Sequence, residues 1–153
     1  MQKPAYAKIN WAIDIIEKRA DGYHEIDMLM QSIELHDDII FETGDKLTIE
    51  TDADGIPLDD GNLVLRAAKA LNEFASTGYG AKITLIKRVP ACAGLGGGSG
   101  DCAAALIALN ELWGLDIPLE KLMYIGASIG KDVPFCMATG AARVKGAGES
   151  SNS

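Results

Sequence analysis

The chain has 153 residues, of which 48% are hydrophobic and 24% charged, with a net charge of −8. That balance is too apolar for disorder and too interrupted by charge for membrane spans, and the length suits one domain around a single core. Twenty-two acidic against fourteen basic side chains argue against an electrostatic nucleic-acid binder, because a phosphate backbone would be repelled.

From Ala5 to Ile15 the odd positions Ala5, Ala7, Ile9, Trp11, Ile13 and Ile15 are apolar, while Lys8, Asn10 and Asp14 fall on even ones. A period of two predicts a strand with a polar face, from which Lys8 and Asn10 project about 7 Å apart. Asp21-Gly22 predicts a turn ahead of a mixed stretch from Tyr23 to Leu35. Ile39 to Glu42 and Leu47 to Thr51 read as short strands joined in a hairpin through Gly44-Asp45. Asn62 is placed to cap a helix in which Leu63, Ala67, Ala70, Leu71 and Phe74 recur at three- and four-residue steps, closed by Gly78. Ala81 to Val89 alternates again and stops at Pro90. Asp101 to Trp113 predicts a helix ended by Gly114, and Pro118 to about Ile129 a second one ended by Gly130. Val133 to Val144 is apolar and reads as one more strand or strand pair. The irregular alternation of strands and helices predicts an α+β sandwich in one domain, with no linker and no repeat.

Three cysteines, Cys92, Cys102 and Cys136, are an odd count without a C-x-x-C pair, which suits thiols in a reducing compartment. With no signal-peptide pattern at the start, a cytoplasmic location is expected. Two histidines, His24 and His36, are too scattered for a zinc site, so no protein-held metal is expected.

The chemistry concentrates in the run PACAGLGGGSGDCAAAL, where five glycines fall between Gly94 and Gly100. Glycines let a backbone wrap an anion, and the helix that follows offers unpaired amides at its positive end, so a phosphate site is expected. A Walker A loop is excluded because no Gly-Lys-Ser or Gly-Lys-Thr occurs, and a dinucleotide G-x-G-x-x-G fails because Ser99 or Asp101 stands where glycine is required.

This run resembles the phosphate-binding segment of the kinase superfamily named for galactokinase, homoserine kinase, mevalonate kinase and phosphomevalonate kinase. Three further segments, PAYAKINWAIDI, RADGYHEIDMLMQSI and GKDVPFC, resemble its branch acting on 4-diphosphocytidyl-2-C-methyl-D-erythritol in non-mevalonate isoprenoid biosynthesis. The likeness covers about Ala5 to Glu149. It implies the sandwich fold shared with ribosomal-protein domains, and residues 1–149 as the N-terminal kinase domain. The tail 150–153 matches nothing, and no part of this chain resembles the family's second domain, so the isolated chain is expected to be nearly inactive.

By the same resemblance, Lys8 and Asp132 form the catalytic pair. A substrate hydroxyl needs a carboxylate to take its proton and a cation to favour the transferring phosphoryl group. Asn10, Tyr23 and His24 would hold the cytidine-containing substrate. Asn62 and Lys87 would contact adenine, although Asn62 is equally well explained as a cap. Pro90, Ala91, Cys92, Ala93, Gly94, Leu95, Gly96, Gly97, Gly98, Ser99 and Gly100 would cradle the triphosphate. ATP and Mg²⁺ are the implied cofactors, with no nucleic-acid or membrane partner. The alternatives are another kinase of the superfamily, of homoserine or mevalonate type, and a non-catalytic nucleotide-binding fragment.

Overall fold

Apolar residues at every second position along the strands become one face of a mixed sheet, and the helices bury that face. The computed structural model describes residues 1–18, 24–89 and 97–138, with side chains at 1–8, 35–89 and 98–138. In chain order the elements are β1 (Gln2–Lys18), β2 (His24–Gly44), β3 (Leu47–Thr51), α1 (Leu63–Ala75), β4 (Gly80–Ile86), α2 (Gly97–Leu112) and α3 (Leu119–Ile129). The sheet order is β1-β2-β4-β3, an α+β architecture.

Ile39 and Phe41 of β2 and Ala81, Ile83 and Leu85 of β4 are buried in the core, as are Val64, Leu65, Ala68 and Leu71 of α1, which packs on α2, α3 and β3. Helix α2 is apolar nearly all round, with Cys102, Ala103, Ala105, Leu106, Ala108 and Leu109 buried. A helix of that kind belongs in the interior, and α2 packs against β1, β2, α1 and α3.

The pairing of β2 with β3 is where the expected hairpin fails. β4 lies between them, antiparallel to β2 and parallel to β3. Gly44-Asp45 turns the chain, but the turn passes over the start of β4 rather than joining neighbours. A Cβ on Gly80 would stand 2.5 Å from the Gly44 carbonyl oxygen and the Lys46 amide nitrogen, so only glycine fits beneath the crossing. The alternating apolar run of β4 suits a central place with ladders on both sides, and the five-residue β3 is left at the edge.

Two further expectations change. Helix α2 begins at Gly97, not Asp101, so Gly97, Gly98, Ser99 and Gly100 are its first turn. Residues 133–138 are helical rather than extended. Pro134 explains this, since proline lacks the amide that a first helical turn does not use and its φ is preset for that turn. Residues 139–144 of the predicted strand, the Asp21-Gly22 turn and the tail 150–153 lie outside the described residues.

Candidate active site

Lys8 sits on β1 where the register with β2 breaks: between Tyr6 and Lys8 the partner moves from His36 to Ser32. Ala7 and Lys8 are both buried there, so Lys8 does not point to water as simple alternation predicts. Its ammonium lies 3.3 Å from Asp132 Oδ2. The lysine side chain is 6% exposed and the aspartate 23% exposed, which leaves the carboxylate as the member a ligand can reach. Asp132 immediately precedes the 133–138 helix, and its carbonyl accepts from the Cys136 amide at 3.2 Å. Two residues 124 positions apart in sequence, expected as a pair, are thus in contact.

The first turn of α2 borders this pair. A Cβ on Gly130 would lie 3.9 Å from Ser99 Oγ, so the turn leading into Lys131 and Asp132 lies against the helix start. Gly97, Gly98, Ser99 and Gly100 are the first turn of α2, the end at which helix amides point outward and the dipole is positive. Gly98 is exposed. Gly100 is buried, and a Cβ there would meet the Tyr6 carbonyl oxygen at 2.8 Å, so its glycine identity also follows from the close approach of α2 to β1.

On another side of the same turn a cavity of about 200 Å³ opens between α1 and α2, its lining including Ile56, Pro57, Asn62, Leu85, Lys87 and Asp101. Asn62 is the N-cap of α1: its Oδ1 accepts from Val64 N at 2.8 Å and its Nδ2 donates to the Pro57 carbonyl at 2.8 Å. Both polar ends of Asn62 are therefore committed to the protein, as the capping explanation requires.

Lys87 is committed too. Its ammonium is 2.7 Å from Asp37 Oδ2 and 3.0 Å from Asp101 Oδ2. Burial works to raise the Asp37 pKa, but hydrogen bonds from Asp101, Lys87 and the Val89 and Arg88 amides outweigh it and hold the group below its ordinary value. Burial pushes Asp101 the other way, up to about 9, with help from the hydrogen bond and charge of Asp37 and against the pull of Lys87. For Lys87, burial works to lower the pKa and the two carboxylates outweigh it, leaving it raised. Sequence reasoning missed Asp37 and Asp101. A signal existed for Asp37, which occupies the same buried odd register as Ile39 and Phe41.

A family model described as the GHMP kinases N terminal domain matches residues 62–140, more than half of the chain. The chain belongs to the GHMP kinase family. That GHMP kinase match spans α1, β4, the glycine-rich segment, α2, α3 and Asp132, while Lys8 lies ahead of it. A 4-diphosphocytidyl-2-C-methyl-D-erythritol kinase of Thermodesulfovibrio yellowstonii is 48% identical over 145 residues, covering 95% of this chain and 50% of that protein. One from Enterococcus faecalis is 45% identical over 147 residues, covering 95% and 52%. The chain spans about half the length of the curated relatives it matches. Among solved structures, a 4-(cytidine 5'-diphospho)-2C-methyl-D-erythritol kinase superposes with a TM-score of 0.71 at 35% identity, over 90% of this chain and 48% of that one. A mevalonate kinase superposes at 0.66 with 15% identity, over 87% and 47%, which speaks for the GHMP kinase fold alone.

The side chains of Asn10 and His24, all of Tyr23, and Pro90, Ala91, Cys92, Ala93, Gly94, Leu95 and Gly96 lie outside the described residues. Cys102 and Cys136 are buried thiols, which burial pushes up to about 12 and about 11. Such groups are inert at neutral pH. Among the described residues no helix is long and apolar enough to cross a membrane.

Proposed function

We propose that this chain carries the phosphoryl-transfer machinery of an ATP-dependent kinase that phosphorylates the 2-hydroxyl of 4-diphosphocytidyl-2-C-methyl-D-erythritol. The observation that carries the reading is the Lys8–Asp132 ion pair beside the first turn of α2. A proton acceptor, a cation and the positive end of a helix come together there, which is what transfer of a phosphoryl group to an alcohol requires.

In this reading residues 1–149 form the kinase's N-terminal domain. The adenine and ribose of ATP occupy the cavity between α1 and α2, and the triphosphate lies along the segment from Pro90 to Gly100. Asn62 shapes that cavity from its capping position, and Lys87 shapes its wall. Asn10, Tyr23 and His24 hold the cytidine end of the acceptor. Asp132 takes the proton from the acceptor hydroxyl as its oxygen bonds to the γ-phosphorus, and the bond from that phosphorus to the bridging oxygen breaks to release ADP. Lys8 holds the Asp132 carboxylate in place through the ion pair and balances charge on the transferring group. Mg²⁺ would come with the triphosphate, whose oxygens satisfy its ligand preference. A cytosolic location goes with this chemistry, since ATP and a charged sugar derivative are substrates of that compartment.

The test is a coupled assay of ADP release on this chain extended by the second half of the Thermodesulfovibrio relative, offered the cytidine-containing alcohol, mevalonate and homoserine in parallel. Release with the cytidine compound alone is the expected outcome. Release with mevalonate or homoserine would move the chain to another kinase of the family, and ATP binding without release in any arm would make it a binding module.

A further inference from the structure

One buried ionic cluster joins both flanks of the glycine-rich segment. Lys87, just past β4, reaches Asp37 of β2 and Asp101 of α2. The other oxygen of Asp37 accepts from the Arg88 amide at 2.6 Å and the Val89 amide at 2.8 Å. Residues 87–89, which lead into the segment, and Asp101, which follows it, are thereby tied to each other and to the sheet. No other side-chain ion pair among the described residues links the chain before the segment to the chain after it with all partners buried: the side chains of Lys87, Asp37 and Asp101 are 8%, 0% and 5% exposed.

The donors are unequally shared. Asp37 receives three N–H groups on its two oxygens, whereas Asp101 receives only the ammonium on Oδ2, and its Oδ1 is buried with no partner. Two carboxylates around one ammonium in so dry a place would leave one negative charge uncompensated. We propose that Asp37 and Asp101 hold one proton between them, carried by Asp101, and that the resulting neutral clamp is the positioning device that sets the flanks of the glycine-rich segment for an anionic ligand.

The described groups facing Asp101 agree with this. Asp37 comes from β2 and Lys87 from beyond β4, while Cys102 on α2 and Cys136 from 133–138 are thiols that stay neutral. Arg66 of α1 acts on Cys102. Burial and the neighbouring carboxylate push Asp101 up to about 9. The functional half of the inference rests on the proposed nucleotide reading: a second charged carboxylate directly behind the first turn of α2 would oppose the phosphates that its amides attract.

The proton is tested without any ligand, by carboxyl-carbon nuclear magnetic resonance of the 153-residue chain, with the Asp101 signal identified from its loss in Asp101→Asn. A titration midpoint well above the ordinary aspartate range is expected, and an ordinary midpoint overturns the proposal. Positioning is tested by calorimetric titration with ATP. Asp101→Ala should weaken binding about tenfold or more, the usual effect of removing a partner from a buried charged group. The neutral isostere Asp101→Asn should restore affinity to within about threefold of wild type, and should not share wild type's loss of affinity as pH rises through the Asp101 midpoint. Failure of Asn to rescue overturns the neutral clamp. Should Asp101→Ala not fold, the wild-type titration and the Asn variant still decide. If wild type binds no ATP at any pH, the nucleotide reading falls, while a raised midpoint still upholds the shared proton.

Discussion

At Asp132 a carboxylate does two things that one atom separates: it attracts the Lys8 ammonium and it is able to accept a proton. Asp132→Asn keeps the shape but cannot act as the base of the proposed reading, so in the extended chain turnover should fall about a hundredfold to ten-thousandfold while acceptor affinity changes little. Stopped assays of ADP release alongside acceptor titration check both halves. Lys8→Ala should also depress turnover and, unlike Asp132→Asn, leave a buried gap and an unpaired carboxylate behind it. The two acids near Lys87 give opposite pH signatures. Asp101 has its pKa raised to about 9, so its stabilising contribution is complete below the ordinary aspartate range, declines as pH rises from there to about 9, and is gone above it. Asp37 has its pKa lowered, so its contribution is present above the ordinary aspartate value and is lost as pH falls below it. The stability of wild type minus that of Asp101→Asn, followed by thermal melts across pH, should therefore decline with rising pH and level off near that midpoint. A flat difference would place the titrating proton elsewhere.

Among the elements, α2 has two kinds of glycine. Gly97→Val places a branched side chain in the first turn and should abolish ATP binding with little change in the melting temperature, since this turn is where the phosphate lies in the proposed reading. Gly100→Ala drives a Cβ to 2.8 Å from the Tyr6 carbonyl and should cost about 1–3 kcal/mol through the packing of α2 on β1. Melting curves and ATP titration on both variants separate the two roles. Asn62→Ala should cost about 0.5–2 kcal/mol as a lost cap. The N-cap at Asn62 and the start of the first helix were legible because capping is local: one side chain satisfies an amide two residues on. The hairpin expected at Gly44-Asp45 was not, because a turn dipeptide reports a change of direction and nothing about which strand lies alongside. The Lys8–Asp132 contact became legible only through a resemblance, since no local pattern connects residues on the first strand and after the last long helix. Asp37 and Asp101 were missed for the same reason: a buried acid announces itself only when its cation is known to be near.

For the molecule as a whole, the core is one layer of side chains between sheet and helices, and Phe41 is fully buried within it. Phe41→Ala should cost about 3–5 kcal/mol, read by chemical denaturation, which is a large share of the stability expected of a domain this size. The place of β4 between β2 and β3 has a consequence for the order in which the chain is made. β3 ends at Thr51 and the strand it will pair with begins only at Gly80, so when β3 has just been made its backbone groups have no ladder to join. β3 and the free edge of β2 must wait through the making of all of α1. During that interval two unpaired edges coexist, the condition under which nascent chains stick to one another. A chain halted after residue 79 should therefore show no amide protection at Leu47 to Thr51 in hydrogen exchange, and adding residues 80–86 should create that protection in a single step.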